Sequence, residues 1–232
     1  MKNRILIKLS GEALSHGGSD YNTDMFARVA TQIQQLTSQG VQVAIVVGGG
    51  NLFRGRDLVD KISVERPTAD YIGMLAIVQN ALVLRDYFES QKIDTRVISA
   101  ISMRQVCEPY IPKRVERHMD KGRVVILAAG LGQPYFSSDT TCVQRALELG
   151  ISEVVMAKHG VDAVYTADPN VDSSAEKIEK ITATKVIESG LSFADQAAIS
   201  LARENALPIR VIGMQDIESI RDLSVGTRII PE

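Results

Sequence analysis

A chain of 232 residues, 45% of them apolar, is long enough for one large α/β domain with a sizeable core, which at 5% aromatic content and without tryptophan must be built from Val, Ile, Leu, Ala and Met. With 26 basic against 28 acidic residues the net charge is −2, which does not favour a nucleic-acid backbone as partner, since that would want a strongly basic face. Two cysteines, Cys107 and Cys142, lack the spacing of a zinc site or a CxxC pair and read as reduced thiols of a cytoplasmic protein.

The chain opens on Arg4–Leu9, an apolar run broken by Lys8. It is too short for a secretion signal and reads as a strand. Residues 24–39 follow, with Phe26, Val29, Ile33 and Leu36 at helical spacing and Gly40 as the stop. A second strand is expected over 41–47 and a long helix, rich in Ala, Leu and Met, over 69–91. Further strands are expected at Thr95–Ser99, 123–128, 154–157 and 209–212, and further helices at 140–149 and 195–205. Residues 168–180 are polar and read as a surface excursion. Gly226 reads as a turn into a last edge strand. No run of 18 apolar residues is seen, so no membrane-crossing helix is expected. Continuous apolar strands alternating with helices imply a largely parallel sheet between two helical layers.

Four loops at strand ends carry the chemistry. Lys8-Leu9-Ser10-Gly11-Glu12 follows the first strand and Gly48-Gly49-Gly50-Asn51 the second. Consecutive glycines cost backbone entropy and add no packing, but they allow N–H groups to converge on an anion. Arg54, four residues beyond, suits two-pronged phosphate binding. Neither a Walker A string nor GxGxxG is present, so this is a phosphate site of another type, with Lys8 as the charge that compensates it. The third loop contains Gly130, Leu131, Gly132, Gln133, Pro134, Tyr135, Phe136, Ser137, Ser138 and Asp139. An aromatic there suits a sugar or base, and Asp139 reads equally as a helix N-cap or a catalytic group. In the fourth, Lys158 ends a strand, Tyr165 could stack on a base and Asp168 could accept from a ribose. The plain alternative is a surface hairpin. The three histidines, His16, His118 and His159, pair with no cysteine cluster, so no protein-bound metal is expected and Mg²⁺ carried by ATP is the natural cation. In an open parallel sheet such loops gather on one ligand-binding edge.

At these loops the chain resembles the amino acid kinase superfamily, most closely its bacterial uridylate kinases, and the likeness runs through essentially the whole sequence. Lys8-Leu9-Ser10-Gly11-Glu12 is similar to KxSGE, and Val47-Gly48-Gly49-Gly50-Asn51-Leu52-Phe53-Arg54-Gly55 to VGGGNxxRG. Ala69-Asp70-Tyr71-Ile72-Gly73-Met74-Leu75-Ala76 resembles ADxxGMLAT, with Ile77 in place of its last Thr, and residues 161–169 resemble VDGVYxADP. Leu131 and Gln133 depart from the usual Thr and Asn of GTGNPxFTTD, and Ser137 and Ser138 replace its threonines. The resemblance implies a three-layer αβα fold, ATP and UMP as substrates, and the de novo pyrimidine route.

It further implies catalysis by Lys8 and Asp139. Gly49, Gly50, Arg54, Asp70 and residues 131–138 would hold UMP. Lys8, Ser10, Gly11, Gly50, Lys158, Tyr165 and Asp168 would hold ATP. Residues 1–150 would form an acceptor lobe and 151–232 an ATP lobe of a single domain, assembled as a homohexamer inhibited by UTP. In relatives activated by GTP, a histidine and arginines serve that nucleotide; Arg85 and Arg96 match the arginines, but Glu89 stands at the histidine and would repel a triphosphate. Two other readings are a different phosphotransferase of the superfamily and a non-catalytic oxoanion- or nucleotide-binding homologue.

Overall fold

The structure, a computed structural model, describes residues 3–17, 20–53, 59–60, 62–169, 171–191 and 193–232. Strand β1 (Arg4–Leu9) is buried along its whole length. Side chains alternate across a strand, so Ile5, Ile7 and Leu9 enter one apolar cluster while Leu6 enters the other. A short hairpin follows, β2 (Ser15–Gly17) with β3 (Asp20–Tyr21). Helix α1 (Thr23–Ser38) is capped by Asn22, whose side chain accepts from the Met25 N–H. Gly40 ends it at φ +75°, a conformation that favours glycine. Strand β4 (Gln42–Val47) then pairs in parallel with β1.

Helix α2 (Arg66–Ser90) has Pro67 in its first turn. It is long and apolar enough to cross a membrane by length and composition, with a window of mean hydropathy 1.2. A core helix passes that test as readily as a spanning one, since scattered polar residues break every apolar run without lowering the mean enough. Here Met74, Val78, Ala81, Leu84 and Phe88 bury themselves in the first apolar cluster with α1.

Beyond it come β5 (Thr95–Ser99), β6 (Glu108–Pro109), helix α3 (Pro112–Asp120), β7 (Val124–Ala128), helix α4 (Ser138–Glu148) and β8 (Val154–Lys158). Within the polar stretch, β9 (Val164–Tyr165) and β10 (Lys177–Ile178) pair as a hairpin, and β11 (Lys180–Thr182) joins the main sheet. Helices α5 (Ala183–Glu188) and α6 (Gln196–Glu204) and strands β12 (Ile209–Gly213) and β13 (Thr227–Ile230) complete the chain.

Nine strands form one sheet in the order β11-β13-β12-β8-β1-β4-β7-β5-β6. Every pairing in it is parallel except β12 with β13. The last strand is therefore not an edge, because β11 pairs along its outer side. Helices α1 and α2 cover one face, and α3, α4, α5 and α6 cover the other, which is the αβα sandwich expected. The central strands β8, β1, β4 and β7 are neighbours running in one direction, so the four loops that follow them share one edge.

Candidate active site

The parity of β1 decides where Lys8 points. It lies on the same face as Leu6, toward α4, and is only 8% exposed. Its ammonium donates to Asp139 Oδ1 at 2.5 Å. Lys158, at the end of neighbouring β8, reaches both oxygens of the same carboxylate at 3.2 Å. One buried carboxylate thus holds two lysines from adjacent strands. Burial works against the Lys8 ammonium, yet the Asp139 charge and hydrogen bond outweigh it and hold its pKa above the ordinary lysine range. Burial and repulsion from Lys8 leave Lys158 below that range despite the pull of Asp139. Burial pushes Asp139 up, but the two lysines prevail and hold it below the usual carboxylate range.

Asp139 does not cap the helix. That role belongs to Ser137, whose hydroxyl accepts from the Asp139 and Thr140 N–H groups. The same hydroxyl donates to Asp195, the cap of α6, which also accepts from Thr140 Oγ1 at 2.8 Å. Asp195 therefore ties α6 to the turn that presents Asp139.

The glycine loops press together as backbones. A Cβ on Gly11 would lie 2.5 Å from the Gly48 carbonyl oxygen, and one on Gly49 would lie 3.0 Å from the Gly73 oxygen and the Ile77 nitrogen of α2. Close approach, not a positive φ, demands glycine at Gly11 and Gly49. A residue not singled out in the sequence fixes this loop. Asn80 of α2 is fully buried and donates to Gly48 O at 2.8 Å and to Asn51 Oδ1 at 2.7 Å. Its own oxygen accepts from Tyr21 at 3.1 Å. The two amides Gln79 and Asn80 inside the apolar middle of this helix were the available signal.

Between the loops after β4 and β7 lies a cavity of about 300 Å³, lined by Gly49, Gly50, Asp70, Leu131, Gln133, Phe136, Ser137 and Ser138 among others. Of the residues expected to serve the acceptor, Gly132, Pro134 and Tyr135 are not on its wall. Gly132 is packed against Ala100, where a Cβ would meet the carbonyl oxygen at 3.1 Å. Tyr135 is 68% exposed, and Arg66 lies 5.4 Å from its ring centroid. Asp70 carries a second duty there, accepting the Tyr135 N–H at 2.8 Å while it pairs with Arg66 at 2.9 Å. Arg54 lies outside the described residues.

A further cavity of about 440 Å³, beyond β8, is lined by Tyr165, Asp168 and Phe193. Lys158 is not on its wall, because its ammonium turns to Asp139. Along the sheet edge the order is therefore cavity, paired lysines, cavity. Another cavity, about 700 Å³, is lined by Arg85, Glu89, Arg96, Arg104 and Arg114 instead. There Glu89 accepts from the Thr95 N–H at 2.7 Å and from Arg96 at 3.3 Å. Among the described residues no three His, Cys, Asp or Glu side chains gather to hold a metal ion.

A model of the amino acid kinase family matches residues 3–213. The uridylate kinase of Tropheryma whipplei is 50% identical over 227 residues, covering 97% of each chain. That of Rhodococcus jostii is 50% identical over 212 residues, 91% of this chain and 87% of the other. Among solved structures, a UMP kinase from Bacillus anthracis superposes with a TM-score of 0.94 at 37% identity, covering 99% of this chain and 96% of that one. A UMP kinase from Ureaplasma parvum gives 0.88 at 30% identity, with 99% and 98% covered. With this sheet order, these loops and these likenesses, the chain belongs to the amino acid kinase family, among its uridylate kinases.

Proposed function

We propose that the protein transfers the γ-phosphoryl group of ATP to UMP, yielding ADP and UDP for pyrimidine nucleotide synthesis. The observation that carries this reading is the Lys8–Asp139–Lys158 cluster between two cavities. With the carboxylate ionised and both lysines protonated, the cluster has one surplus positive charge. It is buried and fixed before substrate arrives, which is where electrostatic stabilisation is strongest.

An oxygen of the UMP phosphate attacks the γ-phosphorus in line. The new O–P bond forms as the bond to the β-phosphate oxygen breaks, and ADP leaves with that electron pair. The attacking oxygen is already ionised near neutral pH, so no general base is required. Lys8 and Lys158 stabilise charge on the migrating group, and Asp139 orients them. The 300 Å³ cavity holds UMP, with Asp70 toward the ribose and the Gly48–Gly49–Gly50 loop toward the phosphate. The cavity at Tyr165 and Asp168 takes the adenosine of ATP, so residues 1–150 serve the acceptor and 151–232 the donor.

The described carboxylates form no metal cage, so Mg²⁺ would arrive on the ATP phosphates and there supply charge neutralisation. We further infer a homohexamer, with the exposed Tyr71, Leu75 and Val83 of α2 available to a second copy. UTP would inhibit by occupying the acceptor cavity. GTP would activate little, since Glu89 already engages Arg96 in the arginine-lined cavity. Phosphorus NMR of enzyme, MgATP and UMP tests the proposal. The expected result is equimolar ADP and UDP. Release of inorganic phosphate with UMP left unchanged would refute it.

A further inference from the structure

Arg145 sits on α4, six residues beyond Asp139, yet its side chain is turned away from solvent and is only 6% exposed. A buried guanidinium is costly unless its donors are used. One donor serves Glu148 at 2.7 Å, an ordinary pair one helical turn away. Another goes to the Gly130 carbonyl oxygen at 3.2 Å. The planar group lies flat against Tyr110, 3.6 Å from the ring centroid. Tyr110 is itself fixed, its N–H bonded to Ser99 O at 2.9 Å and its hydroxyl donating to Glu148.

The carbonyl that Arg145 grips belongs to an unusual turn. Ala129 stands at φ +60°, Gly130 at +58° and Gly132 at +75°. Alanine is disfavoured in that region and remains there only where its surroundings hold it. On one side the turn is braced by Ala100, against which Gly132 is packed. On the other side stands Arg145. From this turn onward the chain supplies Leu131, Gln133 and Phe136 to the 300 Å³ cavity.

We propose that Arg145 is a positioning residue for phosphoryl transfer, holding the entry of the loop at 130–136 so that its side chains meet the acceptor nucleotide. The inference rests on the reading that this loop receives UMP. Lysine cannot replace arginine here, because a point charge neither stacks flat on Tyr110 nor reaches Glu148 and Gly130 together.

Steady-state kinetics of Arg145→Lys test it, with Phe136→Ala as the companion that alters the cavity wall directly. Circular dichroism first establishes that each variant is folded. Arg145→Lys is expected to raise the KM for UMP by about tenfold to a hundredfold, the scale of a small misplacement in a site. The KM for ATP should stay within about twofold. If Phe136→Ala raises the UMP KM but Arg145→Lys does not, the positioning role is overturned. If neither changes it, the assignment of the loop to UMP is what fails. An equal rise in both KM values also overturns the proposal, since it marks a general loosening. Should Arg145→Lys not fold, Tyr110→Leu decides, because it removes the stacking face and leaves the charge. A several-fold rise in UMP KM supports the clamp and an unchanged value overturns it.

Discussion

Asp139 stands between two lysines, and that arrangement sets what each replacement should do. If it orients Lys8 and Lys158, Asp139→Asn should lower kcat nearly as far as Lys8→Ala, by about 10²–10³-fold, the loss seen when one preorganised donor is removed. Both losses should fall on kcat more than on KM. The double variant should be far from additive, because the two side chains form one unit. Additive losses would separate them. The shifted lysine gives an independent check. Lys158 holds its proton less tightly than a free lysine, so as pH rises it discharges first, before Lys8. The alkaline limb of kcat/KM for ATP, which reports the free enzyme, should therefore lie below the ordinary lysine range. Removing the carboxylate in Asp139→Asn takes away the attraction that keeps Lys158 charged, so the limb should move lower still. A limb at or above the usual lysine value would contradict the assignment. Sequence makes Lys8 conspicuous, since a charge within an apolar strand demands a reason. It leaves Asp139 open between cap and catalysis because Ser137 and Asp139 both stand where a cap could fall. Only in the fold is Ser137 seen to take the N–H groups.

The elements follow closely from apolar periodicity. The six principal strands and the four long helices appear within three residues of the expected bounds, because each buries enough apolar surface to declare its period. The short pieces do not. Strands β2, β3 and β6 and helix α5 are too brief to set up a pattern, and helix α3, although as long as α6, buries only Val115 and Met119 within a charged sequence. Asn80 is easily passed over for a related reason. Two adjacent amides, Gln79 and Asn80, in a 25-residue helix leave the apolar pattern intact, yet in the fold Asn80 ties α2 to the loop at Gly48 and to Tyr21. Asn80→Asp keeps the size but exchanges two buried donated hydrogen bonds for carboxylate oxygens facing Gly48 O and Asn51 Oδ1. Leaving such groups unpaired costs about 1–3 kcal/mol. For a protein of this length that should lower the Tm by several degrees, at about 2–4 °C per kcal/mol. Differential scanning calorimetry would show it, and an unchanged Tm would mean that the network carries no stability.

At the scale of the whole molecule, sequence yields the layers but not the order of strands within the sheet. Periodicity says which faces are buried and is silent on neighbours, so β13 reads as an edge although β11 lies outside it. The gathering of four loops on one edge is legible, because a parallel sheet places its strand ends together. How those loops divide the chemistry is not. Lys158 turns to Asp139 rather than to the cavity at Tyr165, and Tyr135 points out to Arg66. What would unite these pieces, on the proposed function, is transfer between two nucleotides across a buried pair of lysines. The most direct measurement is kcat/KM at saturating MgATP for UMP, CMP, dUMP and AMP in turn. UMP should be the best acceptor by a wide margin, with dUMP poorer for want of the ribose hydroxyl that Asp70 would meet and CMP poorer for its base. A preference for CMP or AMP, or no transfer to any of the four, would contradict the account.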